Sequence, residues 1–254
     1  MRGQRYQNEW TVLVCLTISS LVVVGGCTTL NKPQAVTPCG TMTARYTKDP
    51  VEVDGILNDQ AWKTAAAYQL SLGQDRLAQG NELAELGEVR LVWDDNHLYA
   101  GIKFYDSDIV AEGKEDQMHH YELGDVVELF LKPEDQTWYW ELYATPRNKK
   151  TSFWLPERGN LTVGNCGLRV AAQCKGTLNN SKDRDRYWTA EMAIPIKNLI
   201  IADQQLAPGS KWRILVARYN YSRYLSAPEL SMVPQISKTN YHLHEEYAVL
   251  DLAK

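Results

Sequence analysis

The sequence predicts an all-β protein, an antiparallel β-sandwich, and three observations carry that expectation. Short runs in which apolar and polar residues alternate recur along the chain. Turn residues punctuate them at short intervals, and no long stretch holds the 3.6-residue apolar period of an amphipathic helix. No internal repeat is visible.

The first residues stand apart from this pattern. Residues 1–10 carry Arg2 and Arg5, and residues 11–24 form an apolar run shorter than a comfortable membrane span. It closes on Val24-Gly25-Gly26-Cys27, small residues before a cysteine, which resembles a bacterial lipoprotein signal peptide with its lipobox. The resemblance implies cleavage before Cys27 and acylation of its thiol; an ordinary export signal or a short anchor helix is the other reading. Residues 1–26 are then leader. Residues 27–47, polar and containing Pro33 and Pro38, read as a lipidated tether, and 48–254 as one folded domain.

Within the domain, Val51-Glu52-Val53-Asp54-Gly55 reads as a short strand into a turn. Asn58 or Asp59 then caps a helical turn that holds Ala61 and Trp62. Val89, Leu91 and Trp93 alternate down one strand, and Leu98, Ala100, Ile102 and Phe104 down a second, with Asp94-Asp95-Asn96-His97 as the hairpin turn. An acidic loop follows, from Asp106 to Gly124. Val126 to Leu131 and Trp138 to Tyr143 form the central hairpin around Pro133-Glu134-Asp135-Gln136. Residues 147–167 read as irregular. Leu168 to Ala172 is a candidate strand, and Trp188, Ala190, Met192 and Ile194 alternate until Pro195 stops them. Trp212, Ile214, Val216 and Arg218 share one face of a further strand, and Tyr247 to Leu252 closes the chain.

The central hairpin holds an electrostatic oddity. A four-residue turn sets Lys132 opposite Thr137 and, counting back, Glu128 opposite Glu141. Each glutamate lies in an apolar row, Glu128 with Val126 and Phe130, Glu141 with Tyr139 and Tyr143. Like charges across a ladder repel, and a bare buried carboxylate is costly. An arginine, a cation or the hydroxyls of a ligand must compensate, with Arg218 and Arg147 as candidate counter-ions.

Composition narrows the function. The formal charge is −4, against the basic face of nucleic-acid binders. Tyrosine (14) and tryptophan (8) far outnumber phenylalanine (3), a skew that suits sugar faces and half-buried strands alike. With Cys15 in the leader and Cys27 as anchor, Cys39, Cys166 and Cys174 remain. Cys166 and Cys174, with seven residues between them, are a candidate disulfide in an exported protein, with Cys39 as a competing partner. No cysteine or histidine spacing fits zinc.

Five stretches in order resemble the family 9 carbohydrate-binding modules and their DOMON-like relatives. They are Val53-Asp54-Gly55-Ile56-Leu57-Asn58-Asp59-Gln60-Ala61-Trp62, Val92-Trp93-Asp94-Asp95-Asn96-His97-Leu98-Tyr99, Gly124-Asp125-Val126-Val127-Glu128-Leu129-Phe130, the run Tyr187 to Pro195, and the run Trp212 to Arg218. The resemblance implies a sandwich of the jelly-roll type that binds sugars, often the ends of glucan or xylan chains. Two tryptophans clamp the ring in that family while charged side chains bond its hydroxyls. Tyr121 stands where the first clamp tryptophan is found, and Glu128 matches the sugar-bonding glutamate. Ser231-Met232-Val233-Pro234 matches the second clamp segment without its tryptophan. Tyr241-His242-Leu243-His244-Glu245-Glu246-Tyr247 is similar to the closing motif, with His244 in place of proline. The expected sugar site is therefore Tyr121, Asp125, Glu128, Glu141, Arg147, Arg218 and His242.

Other chemistries are weighed against this. Two facing carboxylates imitate a glycosidase pair, but a pair inside a sheet reads as a binding or structural feature, so no enzyme activity is expected. Asp106 and Asp108 in the acidic loop offer oxygen ligands for Ca²⁺, which the related modules carry; a solvated loop is the alternative. Some DOMON relatives hold haem b through methionine and histidine. Met118, His119, His120, Met232 and His242 are the candidates for that electron-transfer reading. The leading expectation is a non-catalytic carbohydrate-binding lipoprotein of the cell envelope. In a Gram-negative host Thr28 after Cys27 sends it to the outer membrane, where glycoside hydrolases are the expected partners at the same surface.

Overall fold

In a computed structural model, the structure describes residues 40–199 and 204–254. The leader, Cys27 and Cys39 lie outside the described residues. In chain order the strands are β1 (Thr41–Tyr46), β2 (Ala67–Gln69), β3 (Gly87–Trp93), β4 (His97–Tyr105), β5 (Val126–Pro133), β6 (Tyr139–Ala144), β7 (Lys150–Glu157), β8 (Asn160–Val163), β9 (Arg169–Lys175), β10 (Tyr187–Pro195), β11 (Trp212–Asn220), β12 (Glu229–Val233) and β13 (Ala248–Ala253). The described helices are short: α1 (Gln60–Thr64), α2 (Gln74–Ala78) and α3 (Ile196–Leu199), beside two single 3₁₀ turns.

The fold is a β-sandwich made from one continuous hydrogen-bonded sheet, ordered β8-β7-β6-β5-β11-β13-β1-β3-β4-β10-β9, with β12 on β11 and β2 on β3. The turn from one layer to the other runs through β13 and β1. There β11 gives its first half to β13 and its second half to β12, so the sheet splits and folds over. Alternate residues of the two layers meet inside. Val127, Leu129 and Leu131 of β5, Leu142 of β6 and Val216 of β11 pack with Leu91, Ile102, Trp188 and Met192 of the other layer. That burial is the main stabilising term.

Two expectations change at β1. Residues 41–46 are not tether but a strand inside the sheet, and β1 runs parallel to both β13 and β3, so the sandwich is mixed rather than purely antiparallel. The inward row of β1 is only Met42 and Ala44, both fully buried. So little apolar mass reads as polar until the neighbouring strands supply the rest. Strands β7 and β8 likewise occupy a stretch that reads as irregular, and β12 forms where no strand was expected. Residues 51–55, expected as a strand, are instead a coil whose Val51 and Val53 pack beside Trp62.

The central hairpin forms, but two residues out of the expected register. Glu128 faces Tyr143, and Glu141 faces Phe130. The connection runs through residues 134–138, longer than four, and Lys132 holds it by donating from Nζ to the carbonyl oxygens of Pro133, Glu134 and Gln136. A two-residue slip keeps every side chain on its face, so both glutamates stay on one side as diagonal neighbours.

The proposed disulfide does not form. Cys166 and Cys174 are both free thiols, Cys166 in the core and Cys174 with Sγ 3.7 Å from the carbonyl oxygen of Pro146. Burial raises both thiols, Cys174 to about 11, so both stay protonated at neutral pH.

Candidate functional site

The layer that holds β5, β6, β7 and β11 is apolar on both faces, and its outer face makes the site. Val126 and Phe130 of β5, Tyr139 and Tyr143 of β6, Phe153 and Leu155 of β7, and Leu215 and Ala217 of β11 form a second cluster there. Met232, Ile236, Tyr241 and Tyr247 cover part of it. What stays open is a cleft of about 420 Å³ whose floor carries Glu128 and Glu141. Tyr121, Tyr143, Tyr219 and Tyr241 wall it, with Asn240 and His242 from the loop before the last strand.

Three positioning contacts hold the walls. The Tyr221 hydroxyl donates to the backbone carbonyl of Tyr121 at 2.6 Å, fixing the 3₁₀ turn that presents the Tyr121 ring. Tyr219 lies 5.7 Å from that ring at an interplanar angle of 34°. The Tyr241 hydroxyl donates to the Arg218 carbonyl at 2.9 Å, tying the closing loop to β11.

The two carboxyl groups differ. Glu141 Oε2 accepts from the Tyr143 hydroxyl at 2.6 Å, and Oε1 lies 3.6 Å from Nδ1 of His242. Glu128 is 2% exposed, and its buried Oε1 has no hydrogen-bond partner. Burial, and then the nearby Glu141, pushes the Glu128 carboxyl well above its usual range. Burial also raises Glu141, tempered by the Tyr143 hydroxyl. Burial lowers His242, leaving a neutral imidazole that is no counter-ion. Among the described residues no lysine or arginine lines the cleft.

Tyr121, Glu128, Glu141 and His242 thus come together as expected, while Asp125, Arg147 and Arg218 do not join them. Arg218 fails on parity. It shares the inward row of Ile214 and Val216, while its neighbour Ala217 is the residue opposite Glu128. Inside, its Nη2 lies 3.0 Å from Asp106 and 3.7 Å from Glu85, and the guanidinium sits 4.9 Å over the Phe104 ring. Arg147 donates from Nε to the Ala111 carbonyl at 2.8 Å. Asp125 accepts the backbone N–H groups of Val110 (2.7 Å) and Tyr221 (2.6 Å) and is structural. Gly124 permits this, since a Cβ there would meet the Val110 carbonyl oxygen at 2.3 Å.

The two calcium candidates are both drawn into ion pairs with arginine. Asp106 is engaged by Arg218, and Asp108 by Arg223 at 2.6 Å. Guanidinium groups neutralise this loop, and among the described residues no group of three or more His, Cys, Asp or Glu side chains could hold a metal ion. The haem candidates are scattered as well. His242 lines the cleft, while Met118, His119, His120 and Met232 do not.

The sequence reading missed Tyr219, Tyr241 and Asn240. Tyr219 was recoverable, for it belongs to the row of Leu215 and Ala217 that faces Glu128. Tyr241 and Asn240 sit in a loop whose path no periodicity reveals.

Residues 53–218 match the model of the carbohydrate family 9 binding domain-like proteins, more than half of the chain. The chain belongs to this family. Its members are non-catalytic carbohydrate-binding modules, and the protein is a binding module rather than an enzyme. A protein from Bacteroides uniformis assigned as carbohydrate-binding is similar in structure, with TM-score 0.65 and 12% identity over 83% of this chain and 97% of the other. A family 9 module from Caldicellulosiruptor kristjanssonii solved with cellotriose gives TM-score 0.54 and 14% identity over 84% and 93%. The structure of a family 9 module from the same organism with glucose gives 0.58 and 16% over 84% and 95%. At such identities the likeness is one of fold. No curated protein matches the chain.

Proposed function

We propose that this family 9 module is a lipid-anchored receptor for neutral glucan or xylan oligosaccharides, held in the Glu128 cleft. The observation that carries the reading is the unbonded Oε1 of Glu128, buried in a tyrosine-walled cleft that no lysine or arginine lines. Burial favours the neutral carboxyl in the free protein, and ligand hydroxyls compensate its charge once it ionises. Each charge-assisted bond from a hydroxyl contributes about 1.5 to 3 kcal/mol. Tyr121 and Tyr219 offer a platform for the apolar face of a sugar ring. With tyrosine in one clamp position and no tryptophan in the other, affinity is modest, a Kd of about 0.1 to 1 mM. The cellotriose and glucose held by its structural relatives support this ligand class.

Titration calorimetry with cello- and xylo-oligosaccharides tests the reading. Wild-type protein gives heat, and a folded Glu128→Gln variant gives none. The pH dependence has a definite sign. Hydroxyl donors favour the ionised carboxylate, so binding lowers the raised Glu128 pKa, releases a proton, and tightens as pH rises through that pKa. Buffers of unlike ionisation enthalpy reveal the proton. Equal binding by wild type and Glu128→Gln removes this carboxylate from the site, and proton uptake reverses its assigned role.

The anchor rests on Val24-Gly25-Gly26-Cys27 after an apolar run. An acylated Cys27 carrying several chains holds a protein firmly on a membrane, and Thr28 directs it to the outer membrane of a Gram-negative host, within reach of glycoside hydrolases. Cys27→Ser should lose lipid labelling and appear in the soluble fraction. A variant still labelled and membrane-bound refutes the anchor.

A further inference from the structure

A second cleft lies on the outer face of the other layer, built from different strands. Its volume is about 650 Å³. On its floor Lys103 of β4 stands between Glu88 of β3 and Thr189 of β10, and in the adjoining row Tyr187 of β10 faces Tyr105 and Lys175. The opening motif of the domain forms one wall. Trp62 and Leu57 lie directly on Gly101, where a Cβ would meet each of them at 3.0 Å.

The charge in this cleft runs against that of the whole protein. Lys63, Arg90, Lys103 and Lys175 line it against the single carboxylate of Glu88, in a chain of net charge −4. Glu88 is already engaged by Arg90 at 3.3 Å. Among the described residues Lys103 and Lys175 have no carboxylate within ion-pair distance. The Lys103 ammonium instead sits 4.8 Å from the Tyr187 ring centroid and 4.9 Å from that of Tyr105. Cations left over beside aromatic faces, with the Gln173 amide nearby, suit a ligand that is both ring-shaped and negatively charged.

We propose that this cleft is a second saccharide site, selective for sugars that carry a carboxylate, such as the uronic acid residues of acidic glycans. Lys103 and Lys175 receive the carboxylate, and Tyr187 receives the ring. The site is independent of Glu128, so one anchored module engages neutral and acidic chains on opposite faces.

The test is calorimetry of the full domain with a homogalacturonan tetrasaccharide, its carboxyl-reduced neutral counterpart and inorganic phosphate. Binding of the acidic chain, weakening with added salt and, in the Glu128→Gln background, absent for the reduced chain, is the expected result. The Lys103→Gln/Lys175→Gln double variant should lose about tenfold in affinity, and Lys175→Gln alone, on an exposed edge position, part of that loss with an unchanged melting temperature. Glu128→Gln should leave this binding intact while removing that of neutral chains, so the two sites fail separately. Unchanged affinity in both lysine variants overturns the proposal, as does loss of acidic-chain binding in Glu128→Gln. Phosphate that competes as well as the tetrasaccharide overturns the saccharide assignment in favour of a simple anion site.

Discussion

Arg218→Met should lower the unfolding free energy by about 3 to 5 kcal/mol at neutral pH, the cost of leaving buried carboxylates without their cation. Arg218 is fully buried, paired with Asp106 and within 3.7 Å of Glu85. Asp106 is already held above its ordinary value by burial, with Arg218 the main opposing influence. Burial and the charge of Asp106 likewise push Asp125 up. Removing the guanidinium raises Asp106 further. A carboxyl whose folded pKa exceeds its unfolded value loses stability as pH climbs from the unfolded value toward the folded one. The deficit of Arg218→Met should therefore be smallest near pH 4 and grow toward neutrality. Urea titrations at pH 4.5 and 7.5 measure this. A deficit equal at both pH values, or below 1 kcal/mol, contradicts the role assigned to Arg218.

Glu191→Ala should cost roughly 3 kcal/mol, because it orphans the Trp62 indole N–H and the Gly55 N–H and leaves the Asp54 N–H only the Glu52 carbonyl. Glu191 lies on β10 with no exposed surface. Oε1 accepts the Trp62 indole N–H at 2.7 Å, and Oε2 accepts the backbone N–H groups of Asp54 (3.0 Å) and Gly55 (2.9 Å). One carboxylate thus fastens the opening coil to the sheet and sets Trp62 in place. Glu191→Gln keeps one acceptor oxygen and should lose about 1 to 2 kcal/mol. Burial raises Glu191 from 4.5 to about 7 despite those three bonds. Its contribution is therefore full below pH 4.5 and declines as pH rises to about 7. The gap between wild type and Glu191→Gln should narrow over that window. A constant gap means that Glu191 does not titrate there.

Arg218 and the two cleft glutamates mark where sequence reasoning held and where it ended. Alternation placed Arg218 in a core row, and that row is correct. It also placed Glu128 and Glu141 together on one face of the central hairpin, which survives the two-residue slip because side chains alternate with period two. Pairing Arg218 with the glutamates failed because a row assignment does not say which face of the next strand that row meets. In the structure the inward row of β11 meets the inward row of β5, which holds Val127, while Glu128 points outward over Ala217. Asp106, a loop residue 112 positions away, supplies the real partner.

The sandwich, the two hairpins, the family resemblance and the shared face of Glu128 and Glu141 were legible in the sequence. All of these follow from local alternation, turn residues and contiguous motifs, which neighbouring residues encode. It took the folded sheet to show that residues 41–46 complete it, that Cys166 and Cys174 stay apart, and that guanidinium groups occupy Asp106 and Asp108. The tertiary structure alone brought Tyr219, Tyr241 and Asn240 to the cleft and gathered Lys103, Lys175 and Tyr187 on the far face. Apart from the cysteine pair, each of those outcomes joins residues far apart in the chain. Their meeting depends on how the sheet folds over through β1 and β13, and nothing within a single strand or turn carries that information.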